Sequence, residues 1–111
     1  MEIVFEFNST EIREESLANL DALGSALSND ALAGAQIMLN GHTDAKGSET
    51  YNLELSQKRA ESVRSRLISE YGIAADRLIA IGFGEERLKD PNAPGSVVNR
   101  RVEVINIGAP Q

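Results

Sequence analysis

Asp44 closes the run Gly41-His42-Thr43-Asp44, and Arg59 stands in Leu55-Ser56-Gln57-Lys58-Arg59-Ala60, where a helix is predicted to open. A carboxylate and a guanidinium held a short distance apart in a pocket complement a ligand carrying both an ammonium and a carboxylate. On a helix, the neighbours of Arg59 three and four positions away are Leu55, Ser56, Ser62 and Val63, none of them acidic. The other basic residues nearby do have such partners: Lys58 has Glu54 and Glu61, Arg64 has Glu61, and Arg66 has Glu70. Arg59 alone is left to reach off the helix. A solvated surface arginine is the ordinary alternative. For Asp44 the alternative is an Asx-turn that caps the backbone of residues 46 and 47. Asn8 falls where the first strand ends; it either faces the side of Asp44 or caps the next helix.

Composition removes other chemistries. The 111 residues make one domain's worth of chain, 41% hydrophobic and 25% charged, with a net charge of -6. That charge repels nucleic acid and anionic membrane surfaces, and 5% aromatics without Trp leave few rings for stacking. Without cysteine there is no disulfide, thiolate catalysis or thiolate-bound metal. His42 is the single histidine, too little for a zinc or iron site, and no nucleophile elbow accompanies it. It is expected to be structural, with its ring nitrogens hydrogen-bonded. Gly82 and Gly84 lack the Gly-Lys-Ser of a phosphate loop. No enzyme and no cofactor are expected. No signal peptide is recognised, and no apolar run approaches the roughly 20 residues that span a bilayer. The chain reads either as cytosolic or as a domain cut from a longer exported protein.

The positioning elements follow from periodicity. Glu2 to Phe7 reads as a strand with Ile3, Phe5 and Phe7 on one face. Asn8-Ser9-Thr10 supplies turn and cap chemistry, and Leu17, Leu20, Leu23 and Leu27 recur at helical spacing. Asp30 to Gly34 is a loop, and Gln36 to Asn40 a second strand. Ala60, Val63, Leu67 and Tyr71 stripe a second helix that stops at Gly72-Ile73. Leu78 to Ile81 is a short buried strand; Gly82 to Gly95 is loop, with a helical turn near Glu85 to Leu88. Val102 and Val104 mark the last strand, followed by a tail from Gly108. The order β-α-β-α-β-β predicts an α+β fold: a mixed sheet with two main helices on one face.

Gly41-His42-Thr43-Asp44, Tyr51-Asn52, Leu55-Ser56, Arg59-Ala60, Gly72-Ile73, Asp76-Arg77-Leu78, Gly82-Phe83-Gly84 and Asn99-Arg100-Arg101-Val102-Glu103 together resemble the OmpA C-terminal-like domain. That family is shared by outer-membrane porin-type proteins, peptidoglycan-associated lipoproteins and MotB-type motor stators. The resemblance runs from about Ile3 to Val104. It implies a single domain over residues 1–111, excised from a longer envelope protein. It further implies non-covalent binding of peptidoglycan on the periplasmic side, tethered to the outer or inner membrane by parts outside this chain. Direct membrane contact by the domain is not expected, and homodimerisation is left open. By the same resemblance, Asp44 and Arg59 grip the diaminopimelate of the stem peptide. Asn52 and Asn8 match secondary contacts, Leu55 a position whose backbone lines the pocket, and Asn99-Arg100-Arg101 a mainly structural hallmark. The loop from Glu85 to Ser96 matches no one subfamily.

On this reading the guanidinium takes the ligand carboxylate and Asp44 its ammonium, so a lysine-type stem peptide, which lacks that carboxylate, is discriminated against. Alanine at either position is expected to abolish wall binding and leave the thermal melt nearly unchanged. The rival expectation is a protein-interaction module of an envelope or secretion complex that does not bind wall.

Overall fold

The computed structural model describes residues 1–32 and 34–108. Four strands and two long helices appear in the predicted order: β1 (Glu2–Val4), α1 (Glu14–Leu27), β2 (Gln36–Gly41), α2 (Glu49–Tyr71), β3 (Leu78–Gly82) and β4 (Arg101–Gly108). The strands form one mixed sheet in the order β1-β4-β2-β3. β4 is antiparallel to both β1 and β2, while β2 and β3 run parallel across the α2 crossover.

The direction of the strands decides where a site can form. Because β1, β2 and β3 all point the same way, their exit loops gather at one end of the sheet. The start of β4 and the N-terminal half of α2 lie at that same end. Residues 5–10, 42–48, 83–85 and 99–100 therefore meet there, although they are far apart in sequence.

Inward-facing Ile3, Phe5, Ile37, Leu39, Leu78 and Val102 of the strands pack against Leu20, Leu23 and Leu27 of α1 and Ala60, Val63 and Leu67 of α2. The inward stripe of α2 continues toward its N-terminus, but there it is polar: Asn52, Ser56 and Arg59 are as buried as the apolar residues that follow. One helix thus serves the core with its second half and the site with its first. Ser48 caps it, its hydroxyl accepting from the Tyr51 N–H at 3.2 Å. Gly72 in the left-handed region ends it, and Ile73 beyond is buried, as the predicted stop requires.

Close approach of α2 to the sheet depends on Gly41. A Cβ there would run into the Ser56 carbonyl oxygen, a backbone atom that cannot rotate away. Gly41→Ala is expected to lower the thermal midpoint by several degrees, equivalent to about 1–3 kcal/mol for an overpacked site. A melt like that of the wild type would contradict this contact.

Several local expectations are corrected. The first strand ends at Val4, with only a bridge from Phe5 to Ile12 beyond it; Phe7 leaves the sheet and is 55% exposed. Asn8 to Thr10 does not cap α1, whose N-cap position is Arg13. Asn8 instead takes φ 53° as the chain turns. Ser16 is buried on α1 whereas Leu17 is 38% exposed, so the inward stripe begins one residue earlier than predicted. Arg64 does not pair with Glu61; it donates to the Leu78 and Ala75 carbonyls. Ile79 of β3 is 37% exposed, so that strand is buried on one face only. The predicted loop after α1 contains a 3-10 turn at Asp30–Leu32. Of the predicted tail, residues 109–111 lie outside the described residues.

Candidate functional site

A cleft of about 170 Å³ opens at this loop-bearing end, lined by Phe7, Asn8, Thr43, Asp44, Lys46, Gly47, Tyr51, Asn52, Leu55 and Arg59. All five residues singled out from the sequence therefore border one cavity. How they are held differs from expectation.

Arg59 is fully buried, and most of its fork is committed to backbone. Nε donates to the Ser9 carbonyl at 2.8 Å, Nη2 to that of Glu6 at 2.9 Å and Nη1 to that of His42 at 3.2 Å. Three of its five donors thus staple the exit loops of β1 and β2 together, leaving two for anything in the cleft. Burial pushes the Arg59 pKa down to about 10, opposed by Asp44 and reinforced by Arg100. The group still carries its charge at neutral pH. Arg59 is neither a free surface cation nor an ion-pair partner in hydrogen-bond contact with Asp44.

Asp44 is buried too, and its carboxylate has two roles. Oδ1 accepts from the Lys46 N–H at 2.9 Å, the Asx-turn weighed as its alternative; Oδ2 accepts from Arg100 Nη1 at 3.3 Å. Each oxygen keeps a lone pair in reserve. Arg100 also donates to the Phe5 carbonyl and is 8% exposed. Its tie to Asp44 was not foreseen. The available signal was the Arg100-Arg101 pair at a strand entrance: alternation sends the two side chains to opposite faces, so one must turn toward the helices. The other two residues of that motif are structural, as expected. Asn99 Nδ2 donates to the Ala93 carbonyl at 3.0 Å, and Arg101 bonds Glu103 and the Arg87 carbonyl.

Asn52 ties the cleft's walls, its Nδ2 lying 3.0 Å from the Lys46 carbonyl and 3.1 Å from Glu85 Oε1. The Tyr51 hydroxyl donates to Asn8 Oδ1 at the mouth. Phe7, Lys46 and Tyr51 were missed as lining residues, because an exposed ring or a loop lysine gives no periodic signal. The Thr43 hydroxyl is buried and has no partner among the described residues.

His42 underlies the site from the opposite face of the sheet. Its Nε2 meets Glu103 Oε1 at 2.9 Å, and its ring stacks on Phe83 at 5.6 Å between centroids. Nδ1 has no partner among the described residues, so only one of the two expected ring hydrogen bonds forms. Burial and then Arg101 lower its pKa, outweighing Glu103. The unfolded chain therefore binds the proton more readily, and stability should fall as pH drops through about 6.5. Urea midpoints measured near pH 7.5 and near pH 5.5 should show this loss, and His42→Gln should lessen it. An unchanged slope in the variant would exclude His42 as its source.

Among the described residues no group of three or more His, Asp or Glu side chains could hold a metal, and no helix is long and apolar enough to cross a membrane.

A mixed four-stranded sheet with two helices on one face and a charged cleft at the loop end defines a small α+β domain, and sequence comparison assigns it to a family. The OmpA family profile matches residues 4–101, and the chain belongs to that family. It is 35% identical over 105 residues, 93% of its length, to outer membrane porin F of Pseudomonas aeruginosa, covering 29% of that protein. Among solved structures it resembles the peptidoglycan-associated lipoprotein of Burkholderia pseudomallei, with TM-score 0.81, 29% identity and coverage of 95% of this chain and 88% of that one. It also resembles the cell wall anchor of the type VI secretion system from P. aeruginosa, with TM-score 0.73, 30% identity and coverage of 96% and 76%. The chain spans less than half the length of the curated relatives it matches.

Proposed function

We propose that this domain binds peptidoglycan non-covalently through the diaminopimelate of the stem peptide, and so anchors an envelope protein to the cell wall. The observation that carries the reading is the shared cleft. Arg59 offers two uncommitted donors and Asp44 uncommitted lone pairs, on opposite charges that are buried, fixed by backbone and not hydrogen-bonded to each other. A side chain ending in an ammonium and a carboxylate supplies the missing partner of each. The clamp is preorganised, since both loops are already stapled, and little ordering entropy remains to be lost on binding. Asn8, Asn52 and the backbone at Leu55 are secondary contacts, and Thr43 brings a hydroxyl in need of a partner.

The same reading makes the domain a binding module rather than an enzyme. It places the domain on the periplasmic side of the envelope, a reading supported by likeness to an outer membrane porin and to a cell wall anchor. A tether to either membrane through another part of the chain, or dimerisation, would raise avidity for a polymer of repeated epitopes.

Co-sedimentation tests it. The wild-type protein should pellet with purified diaminopimelate-type sacculi and remain in solution with lysine-type ones, whose stem peptide leaves Arg59 without its carboxylate. Equal pelleting with both, or with neither, would reject the diaminopimelate reading.

One observation favours the rival reading of a protein-interaction module. The sheet face away from the helices carries Ile79, Ile105 and Ile107, which are 37–47% exposed, with Met38 directly opposite both Ile79 and Ile105. Such an apolar row suits a protein partner. It lies away from the cleft, so the two functions would not exclude each other.

A further inference from the structure

The cleft holds more positive charge than a zwitterion can use. Arg59 and Lys46 line the cleft with Asp44, and Arg100 already pairs with that carboxylate. Neither Arg59 nor Lys46 makes an ion pair with any described carboxylate. Glu85 approaches from the far side through Asn52, and counting it still leaves one cation in excess. On a chain of net charge -6 this local excess runs against the overall balance.

We propose that Lys46 is a specificity-determining residue, holding a second carboxylate of the ligand beside the one taken by Arg59. The inference rests on the peptidoglycan reading and specifies the peptide. Lys46 is placed for this role by three contacts. Its backbone N–H is capped by Asp44 Oδ1, which fixes it beside the ammonium acceptor. Its ammonium sits 5.0 Å from the centroid of the Phe7 ring, and its stem crosses Gly95, where an added Cβ would come 2.9 Å from Lys46 Cε. A bare glycine and an exposed ring thus form a channel for the lysine along the cleft wall.

The opposite flank of α2 has the opposite character. Across its opening turn lies a second groove lined by Glu49, Glu85 and Glu86 with Leu53 and Phe83, and a carboxylate there would meet three like charges. The peptide beyond the zwitterionic residue therefore extends toward Lys46. Two carboxylates could reach it: that of an acidic residue joined through its side chain to the zwitterionic residue, or the main-chain terminus of a trimmed peptide. Both place a carboxylate within one residue of the clamp.

Calorimetry on the folded domain separates these sources. The probes are synthetic diaminopimelate peptides: one with both extra carboxylates free, one amidated at the preceding acid and one amidated at the terminus. Amidating the carboxylate that Lys46 uses should weaken wild-type binding about fivefold, the factor expected of a solvent-accessible ion pair. Lys46→Gln should lose the same factor with the free peptide and become indifferent to amidation, while Lys46→Arg should retain the discrimination. Lys46 is exposed, so these variants should fold; amide dispersion in NMR spectra checks it. If Lys46→Gln binds every peptide as wild type does, the inference falls and the clamp stands. If no peptide binds the wild type, both fall.

Discussion

Arg59→Ala should destabilise the domain by about 2–5 kcal/mol, because it strands the buried His42 carbonyl and the half-buried Glu6 and Ser9 carbonyls and empties a buried site at once. Against a total stability of about 5–15 kcal/mol, that is a large share. This reverses the expectation, drawn from the sequence, that the melt would hardly move. A side chain read as free to reach a ligand is instead the staple joining the Glu6, Ser9 and His42 carbonyls. Loss of wall binding in that variant is therefore ambiguous by itself. Arg59→Lys is the informative partner: it keeps the charge but not the planar fork, and should be intermediate in stability and weaker in binding. Urea unfolding of both variants is the check. An Arg59→Ala midpoint equal to wild type would mean that the carbonyl contacts contribute nothing.

Asp44→Asn carries the largest expected effect on binding. The amide can still accept from the Lys46 N–H through Oδ1, so the loop after β2 should hold its turn. It no longer offers an anion to the ligand ammonium, and losing one partner of a desolvated charge pair typically costs about 2–5 kcal/mol, roughly 30-fold or more in affinity. The fold should weaken as well, since Arg100 loses its ion-pair partner while Arg59 remains nearby. Isothermal titration with a diaminopimelate peptide, alongside a melt, separates the two effects. Affinity unchanged from wild type would remove Asp44 from the ligand-binding role. Arg59, Asp44 and Arg100 form one electrostatic cluster, so double variants among them should not be additive.

The fold was legible where pattern and burial coincide. The stripe Ala60, Val63, Leu67 and the Gly72-Ile73 stop fixed the end of α2, and Ile37 and Leu39 marked β2, one of the two inner strands. It was less legible where tertiary contacts override local preference. Phe7 continues the strand alternation of Ile3 and Phe5, yet the chain turns before it, because Arg13 and Glu11 use the backbone of residues 4 and 6. Ser16 lies buried against the Val4 N–H, to which its hydroxyl gives an acceptor that Leu17 could not supply. For the site, the resemblance identified which residues border the cleft. It could not show that Arg59 and Asp44 are each half-spent on the protein's own backbone and on Arg100. Helical spacing counts neighbours three and four positions away, whereas the acceptors of Arg59 lie 17 to 53 residues distant.

The most direct measurement is an NMR titration of the labelled domain with a diaminopimelate-containing muropeptide. Amide shifts confined to residues 7–9, 43–47 and 51–59, with the Arg59 side-chain resonances moving most, are the result this account predicts. Absence of shifts, or shifts centred on Ile79, Ile105 and Ile107 of the open sheet face, would contradict it.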